Sequence, residues 1–223
     1  MATPRRILIV DDHPVVRRGF RQLLGEQPNL TPCAEAAASA EALDAAREYL
    51  LELALVDITL GDGGDSGLEL IKQLRAAHPD LPLLAVSMHD EVLYAERALA
   101  AGAQGYVMKR VPDETLLEAV RHVLGGGVYV SDAMRERLLE RPAETVAGGG
   151  NGSPLAQLSD REMEVFRLIG QGLAPRHIAE RLHLSVKTVE THRRHLKQKL
   201  GLESSGELRR YAVAWRVEHG GAG

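Results

Sequence analysis

The chain has a single cysteine, Cys33, among its 223 residues. One thiol can close no intramolecular disulfide and supplies no thiolate cluster for a metal, so Cys33 is expected as a small buried side chain on a strand. Aromatic residues are scarce as well, with one Trp, two Phe and five Tyr, too few to line a ligand pocket with rings. Long apolar runs are missing too. No stretch approaches the roughly 20 apolar residues of a membrane span, and the apolar run in RRILIVDD is too short, and ends in acids, for a signal peptide. With 44% apolar and 26% charged residues, a soluble, cytoplasmic globular protein with no membrane partner is expected. The length suits one large or two small domains, each able to bury a core.

Charge is divided along the chain. Residues 1–157 hold 23 acidic against 15 basic side chains, whereas residues 158–217 hold 7 against 12. A basic terminal part behind an acidic one points to an anionic partner for the former, nucleic acid first. Between them lie Gly125 to Gly127, Pro142 and AGGGNGSP at 147–154, a composition that predicts a flexible tether over 125–154. One helical patch, 132–141, interrupts it.

Ahead of the tether, strands are predicted near 6–10, 30–35, 53–56, 82–86 and 104–108. Segments of helical spacing separate them, such as Leu68, Ile71 and Leu74, or Leu116, Val120 and Val123. Ser66 and Glu69 read as a capping box for the third helix. Five βα units imply an α/β fold, a flavodoxin-like doubly wound five-stranded parallel sheet of order 2-1-3-4-5.

Four of the predicted strands stop at unlike polar residues: ILIV at Asp11 and Asp12, LALV at Asp57, LLAV at Ser87, GYVM at Lys109. In an open parallel sheet these carboxyl ends share one edge, where ligands bind. Three carboxylates together are costly unless a hard cation sits among them, and Mg²⁺ is the expected one. A carboxylate beside Mg²⁺ can attack a phosphoryl donor to give an aspartyl phosphate, with Lys109 and Ser87 supplying an ammonium and a hydroxyl to the phosphoryl oxygens.

With these residues in place, residues 5–124 resemble the receiver domain of a two-component response regulator. The resemblance implies that Asp57 is the phosphoacceptor and that Asp11 and Asp12 are metal-site acids. It further implies that the backbone carbonyl of Thr59 is a metal ligand, and that Ser87 and Tyr106 shift together on phosphorylation. One loop departs from the family pattern. After Asp57 the chain runs ITLGDGGDSGLELI, with Gly61 where relatives carry proline and the matching glycine, Gly67, two residues late. A longer, more acidic loop over the site follows. An aspartate-nucleophile phosphatase would need an acid where Thr59 stands, so no turnover enzyme is expected.

The basic part reads as four helices. Ser159 and Glu162 form a capping box for the first, Gly172 ends it, Ser185 caps the third, and Ser204 with Glu207 opens the fourth. Two short helices joined by a tight turn, the second rich in Lys and Arg, form a helix-turn-helix. Val189, Leu196 and Leu200, with His192 beside them, share the inward stripe of the third helix, and Lys187, Thr191, Arg194 and Gln198 lie opposite, flanked by Glu190 and Lys197. The outward set is the one offered to bases, while Thr188, Arg193 and Lys197 suit phosphates.

Residues 155–217 resemble the LuxR-type helix-turn-helix through LSDRE, IAERLHLS, KTVETH and KLGL. Joined to a receiver, they place the chain among lookalikes of the NarL/FixJ response regulators. The resemblance implies a sensor histidine kinase as phosphodonor, double-stranded promoter DNA with two half-sites as target, and a homodimer on activation. Leu208, Tyr211 and Trp215, with Ala212, form a stripe on the last helix that either closes the domain's own core or meets a twin. The alternative is an atypical member of the same family that binds DNA independently of phosphorylation. A ligand-gated relative would need the aromatic pocket that this composition excludes.

Overall fold

In a computed structural model, residues 3–60, 67–88, 91–139, 154–182 and 184–219 are described. They fall into two compact units, 1–139 and 140–223.

In the first unit five strands, β1 (Arg5–Val10), β2 (Leu30–Ala36), β3 (Leu53–Asp57), β4 (Leu83–Ser87) and β5 (Gly105–Met108), pair in parallel in the order β2-β1-β3-β4-β5. Each lies within a residue or so of its predicted span. Every residue of β3 and β4 is buried, as unbroken apolar runs demand when helices cover both faces of a sheet. Between the strands run α1 (Pro14–Gly25), α2 (Ser39–Glu48), α3 (Gly67–Ala77) and α4 (Glu91–Ala101), and α5 (Asp113–Leu124) follows β5. Alternation splits the core in two. Ile7, Ile9, Leu53, Leu55, Leu84 and Val86 join Leu116, Val120 and Val123 of α5 in one layer. Leu8, Val10, Ala54, Val56, Leu83 and Ala85 point to the other side and are equally buried. Cys33 is on β2 as expected but only half buried, because β2 is an edge strand. Gly61 to Ser66, and with them the expected capping box at Ser66, lie outside the described residues.

The first unit runs on past the end of α5 into the predicted tether. Gly126, at φ 84°, turns the chain back beneath α5, and Tyr129 then lies along the free edge of β5. Tyr129 accepts from the Tyr106 N–H at 2.9 Å and donates to the Gln104 carbonyl at 2.9 Å. The Glu91 side chain accepts from the Ser131 N–H at 2.8 Å. Helix α6 (Asp132–Leu139) then packs on α4, with Val130 and Met134 buried. Residues 125–139 thus belong to the first unit rather than to a linker, because an unpaired strand edge is satisfied by the nearest backbone that can reach it. Glu140 to Ser153 lie outside the described residues.

The second unit holds a short 3₁₀ turn (Pro154–Gln157), α7 (Asp160–Gly170), α8 (Pro175–Arg181), α9 (Val186–Leu200) and α10 (Ser205–His219). Both halves of the Ser159–Glu162 capping box are formed. Ser185 accepts from the Thr188 N–H at the start of α9, and Ser204 and Glu207 exchange hydrogen bonds at the start of α10. A side chain at Gly170 would place its Cβ 2.7 Å from the Ala212 carbonyl oxygen, so glycine lets α7 and α10 cross closely.

Candidate functional site

Strand register assembles the first site. Val10 pairs with Val56, Asp57 with Val86, and Ser87 with Met108, so Asp11, Asp57, Ser87 and Lys109 leave the sheet at one level. Asp11 and Asp57 are 0% and 3% exposed. Between them sits the Lys109 ammonium, 2.5 Å from Oδ2 of Asp11 and 2.6 Å from Oδ2 of Asp57. The cation that the sequence leaves out of the acid cluster is therefore Lys109 itself, carried there by β5. Burial pushes the Asp57 carboxyl up to about 6; Lys109 pulls it down and Asp11 pushes it up again. Burial works against the Lys109 ammonium too, yet Asp57 and Asp11 outweigh it and hold the amine above its ordinary value.

The other oxygens of these acids are also placed. Asp57 Oδ1 accepts from the Thr59 N–H at 3.1 Å and Asp11 Oδ1 from the His13 N–H at 2.8 Å. Arg17 of α1 donates to the Asp11 carbonyl at 2.5 Å. Ser87 and the whole of Tyr106 are buried, Tyr106 directly beneath the Tyr129 segment that pairs with its backbone. Gly67 packs against the loop base: it donates to the Ile58 carbonyl at 3.0 Å, and a Cβ there would lie 1.9 Å from the Asp57 carbonyl oxygen. Only glycine fits at that approach.

A residue missed by the sequence reading joins the acids. His13 turns its Nδ1 to 2.6 Å from Asp12 Oδ1 and 3.3 Å from Asp11 Oδ1. One ligand atom from each of Asp11, Asp12, His13 and Asp57 lies within 4.8 Å of the others, a spacing that fits a single divalent ion. The signal was available, since an imidazole follows two acids directly in the sequence. A cleft of about 440 Å³ opens beside Lys109, between Val16, Phe20 and Leu23 of α1 and Met88 and Asp113.

The second site is the outer face of α9. Val189 and Leu196 are fully buried, and Lys187, Glu190, Arg194 and Gln198 are exposed with Thr191 and Lys197 partly so. Arg193 differs from expectation. Its side chain is 16% exposed and bonds Glu190 at 2.7 Å, so in this structure it is paired along the helix rather than extended outward. Behind the helix, Glu162 is buried, with Lys199 at 2.6 Å and His195 at 3.6 Å. Burial raises the Glu162 carboxyl, but Lys199 and Ser159 outweigh that and hold it below its ordinary value. His192 is held down by burial.

The stripe on α10 turns inward. Leu208 and Ala212 are 0% exposed, and the rings of Tyr211 and Trp215 lie 5.8 and 6.2 Å from Phe166 of α7. Leu208 is buried in the domain's own core, against α7. Outward, α10 presents Arg209, Arg210, Ala214, Arg216 and Val217.

Residues 7–121 match the response regulator receiver domain, and residues 156–212 match the bacterial regulatory proteins of the luxR family. The oxygen regulatory protein NreC of Staphylococcus carnosus is 36% identical over 210 residues, spanning 93% of this chain and 96% of its own. The crystal structure of the response regulator ChrA of a heme-sensing two-component system is 28% identical, with TM-score 0.52 over 97% of this chain and all of that one. The two-component response regulator RcsB, in complex with DNA, is 25% identical, with TM-score 0.57 over 94% of this chain and 98% of that one. A receiver domain followed by a LuxR-type helix-turn-helix places the chain in the NarL family, among the DNA-binding response regulators of two-component systems.

Proposed function

We propose that Asp57 accepts a phosphoryl group from a sensor histidine kinase or a small phosphodonor, and that this changes dimerisation and promoter binding and hence transcription. The observation that carries the reading is the Lys109 ammonium held between Asp11 and Asp57 at the carboxyl edge of the sheet. In this reading Asp11, Asp12, Asp57 and the Thr59 carbonyl hold Mg²⁺, which supplies charge neutralisation to the transferred phosphoryl group. A carboxylate oxygen of Asp57 forms the new bond to phosphorus, the bond to the donor breaks, and the donor leaves with its electron pair. Lys109 and Ser87 take the new phosphoryl oxygens, and the buried ring of Tyr106 moves with Ser87. The phosphoryl group, which carries about −1.5 to −2 in place of the single charge of the carboxylate, biases the β5 edge on which Tyr129 lies.

The output is double-stranded DNA. Lys187, Glu190, Thr191, Arg194 and Gln198 meet bases, Thr188 and Lys197 meet phosphates, and a homodimer reads two half-sites. The dimer surface on α10 is the partly exposed Tyr211 and Trp215 with the outward Ala214 and Val217, rather than the buried Leu208. The proposed location is the cytoplasm, and the chain takes up phosphate without turning over a substrate.

Incubation with acetyl phosphate and Mg²⁺ tests the site: the native chain takes up one phosphoryl group and Asp57→Asn takes up none. Equal uptake by both would overturn the assignment. DNA affinity that is the same with and without the phosphoryl group would favour a regulator that binds DNA independently of phosphorylation.

A further inference from the structure

The two sides of the acid cluster are not equivalent. Lys109 occupies Oδ2 of Asp11 and Oδ2 of Asp57, on the inner side. Oδ1 of Asp11 and Oδ1 of Asp12 instead face Nδ1 of His13, a side chain 66% exposed that closes the cluster toward solvent. The backbone fixes this arrangement, because the His13 N–H donates to Asp11 Oδ1. The imidazole makes no capping bond to α1, so holding that helix does not account for its position.

Ligand atoms at about 2.1 Å around an octahedral cation stand about 3 Å from their neighbours. Nδ1 lies 2.6 and 3.3 Å from the two carboxylate oxygens, on either side of that value. Around Mg²⁺, carboxylates, carbonyls and waters are the fitting ligands; a neutral imidazole favours borderline first-row cations.

We propose that His13 is itself a ligand of the divalent cation, binding through Nδ1, and that it biases this receiver toward transition-metal divalent cations such as Co²⁺, Ni²⁺ or Zn²⁺ relative to Mg²⁺. The inference rests on the metal site of the proposed function and adds to it a nitrogen donor that sets metal preference. On loading, Nδ1 would exchange its contact with Asp12 for one to the cation, which it would share with the same oxygens, the ring N–H then lying on Nε2. In a regulator so built, the identity of the bound cation becomes a second input to phosphoryl uptake at Asp57.

Two measurements on the full chain test this. Pulsed electron paramagnetic resonance of bound Mn²⁺ reports directly coordinated nitrogen, and calorimetry compares Co²⁺ with Mg²⁺, with Asp12→Asn as the blank for binding elsewhere. The native chain is expected to show ¹⁴N modulation that His13→Ala loses. His13→Ala is also expected to bind Co²⁺ about tenfold more weakly, the scale of a removed metal-site contact, while Mg²⁺ binding falls less. Native protein that binds Mn²⁺ without nitrogen modulation overturns the proposal, whatever the fate of the variant. So does a His13→Ala chain that binds Co²⁺ as tightly as the native one or tighter, the latter marking the imidazole as a competitor of the cation. In both cases the acid site and phosphoryl uptake stand. Absence of any divalent binding sensitive to Asp12→Asn removes the metal site and His13 with it.

Discussion

The Nζ of Lys109 stands 2.6 Å from Oδ2 of Asp57, a pairing between residues 52 positions apart that ties the end of β5 to the end of β3. The same ammonium reaches Asp11 on β1, so one cation offsets two buried carboxylates and spans the middle of the sheet.

Removing that cation leaves two buried acids facing each other. Lys109→Met is expected to lower receiver stability by about 3 kcal/mol, the low end for a broken buried pair, since a carboxyl pushed up to about 6 can take a proton instead. Asp57→Asn removes one repelling charge and keeps the Lys109–Asp11 pair, and is expected to hold or raise stability. Urea midpoints of both variants at neutral pH decide this; a destabilised Asp57→Asn would show that attraction to Lys109 outweighs burial.

Gly67→Ala is expected to slow phosphoryl uptake from acetyl phosphate and to destabilise the unit by more than 1 kcal/mol. A Cβ would lie 1.9 Å from the Asp57 carbonyl oxygen, which is backbone and cannot swing away, so the base of the active-site loop must shift. Uptake rates of native and variant protein give the comparison.

On α9, the proposed DNA contacts give two arginines and a lysine different roles. Arg194→Ala is expected to cost about 1 to 3 kcal/mol at one base position. Lys197→Ala should weaken all sequences alike and reduce the salt slope of binding by about 0.9. Arg193→Ala should leave that slope unchanged while altering the base choice of Glu190, which it holds. Titrations at several salt concentrations on matched and mismatched sites separate the three.

Acid is expected to destabilise the DNA-binding unit in two stages. His192 is held below its usual 6.5 by burial, so the unfolded chain binds its proton first, and stability falls as the pH drops below about that value. Glu162 is held below its usual 4.5, burial being outweighed by Lys199 and Ser159. Its contribution is full above that value and is lost as the pH falls through its lower folded value. Trp215, the one Trp of the chain, lies on Phe166 and reports unfolding by its emission. Glu162→Gln should abolish the more acidic stage; stability that does not fall below about pH 6.5 would contradict the His192 assignment, and stability that does not fall further below about pH 4.5 would contradict that of Glu162.

Much of this protein was determined by its sequence. Strand spans, the two capping boxes at Ser159 and Ser204, and the inward stripe of α9 depend on neighbours two to four residues apart, and such spacing is legible in one dimension; the 2-1-3-4-5 order followed from the succession of five βα units. The four polar strand ends belonged to the same class, because a parallel sheet brings its carboxyl ends to one edge whatever fills its core. Tertiary structure decided which partners these residues took. Lys109 became the cation of the acid cluster, Leu208 went to the core of its own domain, Arg193 went to Glu190, and residues 125–139 became part of the first unit rather than a tether. Each of these is a competition between distant groups for one position, settled by burial and by the cost of an unpaired charge or strand edge, and no local spacing records its outcome.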